Sequence, residues 1–179
     1  ERLLRELQPK QPPAAPPAAA PAPPPAAPRA YEDQAGLSLG AGYGQLIGES
    51  TLPAHGLMFD ATLSVGLSDI WTARARASYG HHFGDPSLSM LFASADILYL
   101  VDVLEWVPYF GVGLDGIGML YRDDLELELG THPVFGLDWL VSREHAIGFE
   151  VRPVFLLTAL GSDPLYLSAT LSFTWLFWL

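Results

Sequence analysis

The chain has 179 residues, of which 50% are hydrophobic and 12% aromatic, a composition that excludes wholesale disorder and allows one domain with an extension. Its formal net charge of -11 argues against nucleic acid as a partner, because no basic patch is available to attract a polyanion. No apolar run approaches the roughly 18 residues of a transmembrane helix, so any membrane crossing would require strands.

Residues 1 to 33 predict an N-terminal extension in two parts. Three leucines at helical spacing give a short helical start, which is marginal in water at this length. From Pro9 to Pro28 the chain is nearly all Pro, Ala and Gln, which favours polyproline II and predicts a semi-rigid linker. The linker is either a spacer toward a periplasmic or envelope partner, bound through residues 1 to 30, or a tail without one. Because the chain begins at Glu1 without an apolar signal core, we expect a processed or truncated product.

Eight stretches between Gln34 and Leu179 alternate large apolar residues with small or polar ones. Since successive side chains of a strand point to opposite faces, each stretch predicts a strand with one apolar face. The last stretch ends in a run of aromatics, where a soluble domain would carry solvated residues, so its apolar face needs a permanent apolar neighbour. The predicted strands cover residues 35 to 46, 56 to 67, 70 to 82, 88 to 101, 107 to 120, 132 to 142, 146 to 158 and 165 to 179.

The direction of the apolar faces distinguishes two kinds of barrel. Alternation alone fits both a soluble barrel that is apolar inside and a membrane barrel that is apolar outside. An eight-stranded barrel has an interior just wide enough for filling side chains, so the large apolar residues of all eight strands cannot point inward. The sequence therefore predicts an apolar outer face against lipid and an inner face of small, polar and charged residues.

The aromatic residues indicate two membrane interfaces. All five tryptophans fall at strand ends on the side of the barrel shared by the chain termini, and three tyrosines fall at the opposite ends of their strands. Amphipathic rings concentrate at both interfaces of a membrane barrel, so this distribution predicts two girdles. The predicted girdles are Trp71, Trp106, Trp139, Trp175 and Trp178 at one rim, and Tyr43, Tyr79 and Tyr121 at the other.

Two motifs carry a resemblance to a known class of proteins. The segment VPYFGVGLDG, from Val107 to Gly116, is similar to the Pro-Tyr-x-Gly-x-Gly strand of outer membrane proteins of the A and W type. The final strand resembles the C-terminal assembly signal of bacterial outer-membrane barrels, with leucine in place of the usual terminal Phe or Trp. The alternating positions of that signal are Leu171, Phe173, Trp175, Phe177 and Leu179.

Residues 34 to 179 therefore resemble the small eight-stranded outer-membrane barrels of the A and W type. The resemblance implies an all-β, eight-stranded, antiparallel, up-and-down transmembrane barrel in the bacterial outer membrane, with both termini periplasmic. It also implies contact with outer-membrane lipid and lipopolysaccharide, and insertion by the barrel assembly machinery. It implies no cofactor.

The inward face predicts a network of charges centred on Arg74, Arg76 and Arg152, the only inward arginines. A buried charge is costly unless it is paired, and a planar guanidinium can bridge two carboxylates, so we expect a network that closes the lumen. Hydrated charges around a continuous pore are the alternative. Pairing about the turn at 142 to 146 would set Asp138 nearly opposite Glu150. The inward carboxylates are Asp60, Asp96, Asp115, Asp138 and Glu150.

The predicted outward loops cover about 47 to 55, 80 to 87, 121 to 131 and 158 to 165. An acidic stretch in the third loop could hold divalent cations that bridge lipopolysaccharide, although a solvated acidic loop is the better interpretation. Four histidines also fall on the outward side, but no spacing enforces their convergence, so no metal site is predicted. The acidic residues are Asp123, Asp124, Glu126 and Glu128, and the histidines are His55, His81, His82 and His132.

The sequence is compatible with three functions. A lipid A-modifying enzyme needs a serine activated by a histidine and a carboxylate, and the nearest set, Ser78 with His81, His82 and Asp85, fits ordinary turn residues better. We therefore predict no catalytic residue and no enzymatic activity. Four apolar residues on the inward face of the fourth strand, Met90, Phe92, Leu98 and Leu100, keep open a narrow channel or binding site for small hydrophobic molecules. The favoured prediction is a structural or anchoring component of the cell envelope.

Overall fold

The computed structural model describes residues 34–48, 52–101, 105–122, 124–158 and 165–178. The extension predicted for residues 1 to 33 and the terminal Leu179 lie outside the described residues. Among the described residues there is no helix long and apolar enough to cross a bilayer. The strands are β1 (Gln34–Ile47), β2 (His55–Gly66), β3 (Trp71–His82), β4 (Leu88–Leu100), β5 (Trp106–Tyr121), β6 (Asp124–Leu140), β7 (His145–Leu156) and β8 (Leu165–Trp178).

The strands form a closed antiparallel barrel. Neighbours in the sheet follow the chain order, and β1 pairs with β8 to close it. The row of paired residues that begins at Leu37 passes once around the barrel and returns to β1 at Ile47, a shear of ten residues. Eight strands with such a stagger are tilted by roughly 35–45° and enclose a lumen that side chains can fill. The eight-stranded antiparallel barrel predicted from the alternation is confirmed.

The outer face of the barrel is apolar, as the volume argument predicts. Leu114 is 67% exposed and Leu171 is 62% exposed, while their neighbours along each strand point inward. Large apolar side chains remain exposed on all eight strands. A continuous apolar surface of this extent needs an apolar surrounding, and lipid supplies one.

The sequence prediction is wrong about the start of the sixth strand. β6 begins at Asp124 and not at residue 132, so the segment predicted as a long acidic loop is mostly strand. Leu127 pairs with Gly118 of β5, and the acidic side chains Glu126 and Glu128 alternate with outward leucines. This alternation was present in the sequence, but the density of carboxylates favoured a loop. Asp123 itself lies outside the described residues.

The turn between β6 and β7 also differs from the prediction. Asp138 pairs with Gly148, and Glu150 pairs with Gly136, so the two carboxylates are not opposite each other. The backbone N–H groups of Val141 and Ser142 both donate to the carbonyl oxygen of His145, which makes a tight turn. The hairpin is therefore centred one residue earlier than expected, which shifts the pairing by two residues.

Candidate functional site

The lumen of the barrel is arranged in three layers along its axis. We call the end where β1 begins and β8 ends the proximal rim, and the opposite end the distal end. At the distal end, ten buried residues form the distal plug: Leu46, Met58, Leu88, Met90, Phe92, Ile117, Met119, Val154, Leu156 and Tyr166. Below it lies a layer of charged residues. A smaller proximal cluster consists of Leu98, Leu100, Val107, Tyr109 and Val134.

The distal plug fills the lumen with side chains. Met58, Leu88 and Met90 are completely inaccessible to solvent, and Phe92 is 3% exposed. The hydroxyl of Tyr166 lies 2.9 Å from Met58 Sδ and 3.1 Å from Nε2 of the buried His82. The apolar inward face predicted for the fourth strand is thus real, but its residues are divided between the plug and the proximal cluster. Sequence reasoning missed the plug because its members come from six different strands.

Glu150 is the centre of the charged layer. Its carboxylate accepts hydrogen bonds from Arg74 at 2.8 Å and from the Tyr109 hydroxyl at 3.0 Å, and it lies 2.5 Å from Arg76 Nη1. The Arg74 guanidinium also lies 4.4 Å from the centre of the Tyr109 ring, close enough for a cation–π contact. Arg74 extends to Asp138 at 3.9 Å. One carboxylate thus joins two of the three predicted arginines.

A second group of the charged layer is built around His132. Its imidazole nitrogens lie 2.5 Å from Asp115 and 3.0 Å from Asp96, and all three side chains are fully buried. Asp96 lies 3.8 Å from Arg76, which connects the two groups. Gly113 gives the imidazole its space, because a Cβ there would lie 2.6 Å from the ring.

His132 was assigned to the outward side, and the structure corrects this. Because β6 begins at Asp124, His132 lies in the middle of a strand, and its even position puts it on the same inward face as Asp138. Parity with Asp138 was the signal in the sequence that could have identified it. Arg152, 1% exposed, lies with its Nη1 3.5 Å from Ser94, whose hydroxyl donates to Asp115 at 2.5 Å.

Asp60 differs from the other inward carboxylates. It is 9% exposed, takes part in no ion pair, and its Oδ2 has no hydrogen-bond partner among the described residues. The carboxylate lines a cavity of about 80 Å³ that runs from the charged layer to the proximal rim. Residues at that rim, including Gln34 and Leu176, also line it. The lumen is therefore filled distally and hollow proximally.

The tryptophans of the predicted girdle lie at the proximal rim. Trp106 and Trp139 are paired across β5 and β6, with stacked rings whose centres are 5.7 Å apart. Trp71 and Trp175 project outward, whereas Trp178 has inward parity but is 56% exposed at the end of β8. At the distal end, Tyr43 and Tyr79 are exposed on the outer face. The prediction is wrong for Tyr121, which does not belong to the outer girdle because it packs inward against the distal plug.

The residues weighed for catalysis and metal binding are dispersed. His82 points inward to Tyr166, whereas His81 lies within 3.5 Å of Ser89. Ser78 is buried in the lumen, and none of the residues that the structure describes hydrogen-bonds to its hydroxyl. His55 hydrogen-bonds to the hydroxyl of Tyr43 at the barrel exterior. Within the described ranges, no three His, Cys, Asp or Glu side chains converge as metal ligands.

Together the closed antiparallel sheet, the apolar exterior and the polar, distally filled lumen define the fold of small transmembrane β-barrels of the outer-membrane type. Solved structures agree with this classification. Neisserial surface protein A has a TM-score of 0.63 at 12% identity, over 80% of this chain and 96% of its own. Outer membrane protein OprG from Pseudomonas aeruginosa has a TM-score of 0.55 at 12% identity, over 83% and 98% of the two chains.

Ail, the attachment invasion locus protein of Yersinia pestis, has a TM-score of 0.53 at 13% identity, over 82% of this chain and 99% of its own. At such identities the likeness concerns the fold alone. No protein-family model matches the sequence, and no curated protein matches it. The fold expected from the sequence resemblance, that of a small eight-stranded outer-membrane barrel, is confirmed.

Proposed function

We propose that this protein is a structural or anchoring component of the bacterial outer membrane, whose N-terminal linker reaches through the periplasm toward a partner. One observation carries the proposal: the distal half of the lumen is filled with inaccessible apolar side chains, while the chain enters the barrel at the proximal rim. A barrel without a passage cannot transport molecules through its lumen. Its role is then to anchor, in the membrane, the chain segments attached to its termini and the partners that these segments bind. Both ends of the barrel chain, Gln34 and Trp178, are paired at the same rim.

The same geometry supports an orientation and an environment. We infer that the proximal rim, with its tryptophans, faces the periplasm, so that both termini are periplasmic. The outer face would then contact membrane lipid, with lipopolysaccharide at the distal end. Insertion by the barrel assembly machinery follows from the resemblance of the last strand to an assembly signal. The outer-membrane origin of structures with the same fold supports this location.

A narrow channel or a binding site for small hydrophobic molecules is the second candidate. The distal plug is apolar, as such a site requires, and this is the observation that favours it. Its space, however, is occupied by the protein's own side chains, such as Met58 and Met90. A ligand would have to displace them, so we place this function second.

Deleting residues 1 to 30 is expected to abolish cross-linking of the barrel to its periplasmic partner while the barrel still assembles. In vivo cross-linking followed by mass spectrometry of the purified barrel measures this. A chain with residues 9 to 28 replaced by a Gly/Ser sequence of equal length is the control for reach, and a half-length linker tests whether the distance matters. The anchoring role is refuted if the set of cross-linked proteins is the same in all four chains.

The purified barrel is expected to show no steady ohmic conductance in a planar bilayer, since apolar constrictions exclude water and ions. Arg74→Ala combined with Arg76→Ala should remain non-conducting, because the distal plug is separate from these arginines. A large and stable conductance of the unmodified barrel would contradict the closed lumen and would favour the channel.

A further inference from the structure

The charges of the lumen do not balance. Three arginines face five carboxylates on the inward side of the described strands. His132 lies between Asp96 and Asp115, and as an imidazolium it would supply a fourth positive charge. One carboxylate still lacks a cation. A buried carboxylate without a partner is strongly unfavourable, so it must either take up a proton or have a cation beside it.

Asp60 is the carboxylate that takes part in no ion pair among the described residues, and Arg152 is the arginine that takes part in none. With every group charged, the lumen still carries one excess negative charge. The Asp60 side chain is nine-tenths buried, and among the described residues no cationic group lies within 4 Å of it and no group hydrogen-bonds to its Oδ2. Ser78, directly opposite on β3, has a buried hydroxyl that also lacks a hydrogen-bond partner in the described part of the chain. Two oxygen atoms on adjacent strands therefore face the lumen unsatisfied. Buried polar atoms of folded proteins are nearly always satisfied, so such a pair indicates an additional group between or beside them.

The space next to Asp60 has the size and lining of a small-ion site. The cavity of about 80 Å³ holds a small ion with a few waters, given a liquid volume of about 30 Å³ per water. Hydroxyl groups of Ser38, Thr62 and Thr170 also line it. Its charged lining consists of three carboxylates and two guanidinium groups, which leaves one net negative charge: Asp60, Asp138, Glu150, Arg74 and Arg76. Gly40 lies against the carboxylate, where a Cβ would come within 2.8 Å of both Asp60 oxygens. A glycine at this position leaves room for the charged group.

We propose that the proximal cavity binds a small monovalent cation, an alkali metal ion or ammonium, on the carboxylate of Asp60. Such an ion supplies the one missing charge. A divalent ion fits less well, because it needs several converging carboxylates, and among the described residues no three acidic, histidine or cysteine side chains are placed to bind a metal ion together. Hydroxyl oxygens and water complete the shell of a weakly hydrated monovalent ion.

Crystals of the barrel grown in rubidium chloride test the proposal directly. We expect one anomalous peak beside the Asp60 carboxylate in the unmodified protein and loss of that peak in Asp60→Asn. Asp69→Asn is the matched control, because Asp69 is an exposed residue of the β2–β3 turn. The control protein should keep the peak.

Thermal unfolding in detergent gives a second measurement. The melting temperature of the unmodified protein should be higher in potassium, rubidium or ammonium chloride than in tetramethylammonium chloride at the same concentration, since the large cation cannot enter the cavity. This difference should disappear in Asp60→Asn and persist in Asp69→Asn. Absence of an anomalous peak, or equal melting temperatures of the unmodified protein in all four salts, would overturn the proposal.

Discussion

Replacing Arg76 by alanine is expected to destabilise the barrel by about 3–5 kcal/mol, the usual cost of removing one partner of a buried ion pair. The Arg76 side chain is 3% exposed and lies 2.5 Å from Glu150 and 3.8 Å from Asp96. Its removal leaves Asp96 with only His132 as a cation, and Glu150 with Arg74. Since Arg76 connects the Glu150 group with the His132 group of the charged layer, its loss should weaken both groups.

Urea unfolding of the barrel in lipid vesicles, followed by tryptophan fluorescence, measures this loss. Arg143→Ala is the matched control, because Arg143 is exposed in the turn between β6 and β7. Its removal is expected to change the free energy of unfolding by less than about 0.5 kcal/mol. If Arg76→Ala and Arg143→Ala are equally stable, the charged layer contributes nothing to the fold.

The pairing itself is tested by a double substitution. Arg76→Gln with Glu150→Gln removes both charges, so it leaves fewer unpaired groups than Arg76→Gln alone. The double variant should therefore recover part of the stability lost in Arg76→Gln. If the double variant loses as much stability as Arg76→Gln and Glu150→Gln lose separately when added together, Arg76 and Glu150 act independently.

Much of the fold follows from the sequence because a barrel repeats one simple pattern. The period of two is imposed by strand geometry at every residue, and eight repetitions make it hard to misread. The direction of the apolar face then follows from the summed volume of the apolar side chains, which can be read from the sequence and which exceeds the space inside an eight-stranded barrel. The same parity placed Arg74, Arg76 and Glu150 on one face, and the structure brings these three into contact.

The errors occurred where local composition competed with alternation. The carboxylates of Asp124, Glu126 and Glu128 conceal the leucines that alternate with them, so the sequence pattern does not show the start of β6 or the inward direction of His132. The distal plug could not be predicted, because its packing depends on the register of strands around a closed barrel, six of which contribute residues to it. The register of a hairpin is set by its turn. Because the β6–β7 turn is centred at Arg143, the pairing of β6 with β7 differs by two residues from the one predicted. The imbalance at Asp60 also emerged only from the three-dimensional pairing.

Replacing Trp175 and Phe177 together by serine is expected to block assembly of the barrel in the membrane. β8 closes the barrel, since it pairs with β7 on one side and β1 on the other, and Trp175 faces both His145 and Leu37. Its indole packs against Phe173 with ring centres 4.8 Å apart. Each substitution also removes roughly 1.5–3 kcal/mol of apolar burial against lipid.

A matched control separates the loss of lipid burial from the loss of an assembly signal. Phe59→Ser with Trp71→Ser removes the same two side-chain types from the outer face, at 53% and 43% exposure, but from β2 and β3. The control variant should be less stable than the unmodified barrel but should still assemble in the membrane. Quantifying the folded barrel in outer-membrane fractions by its heat-dependent gel mobility compares the two. If the Trp175 and Phe177 variant reaches the control's level, the last strand has no special part in assembly, and its aromatics serve lipid contact alone.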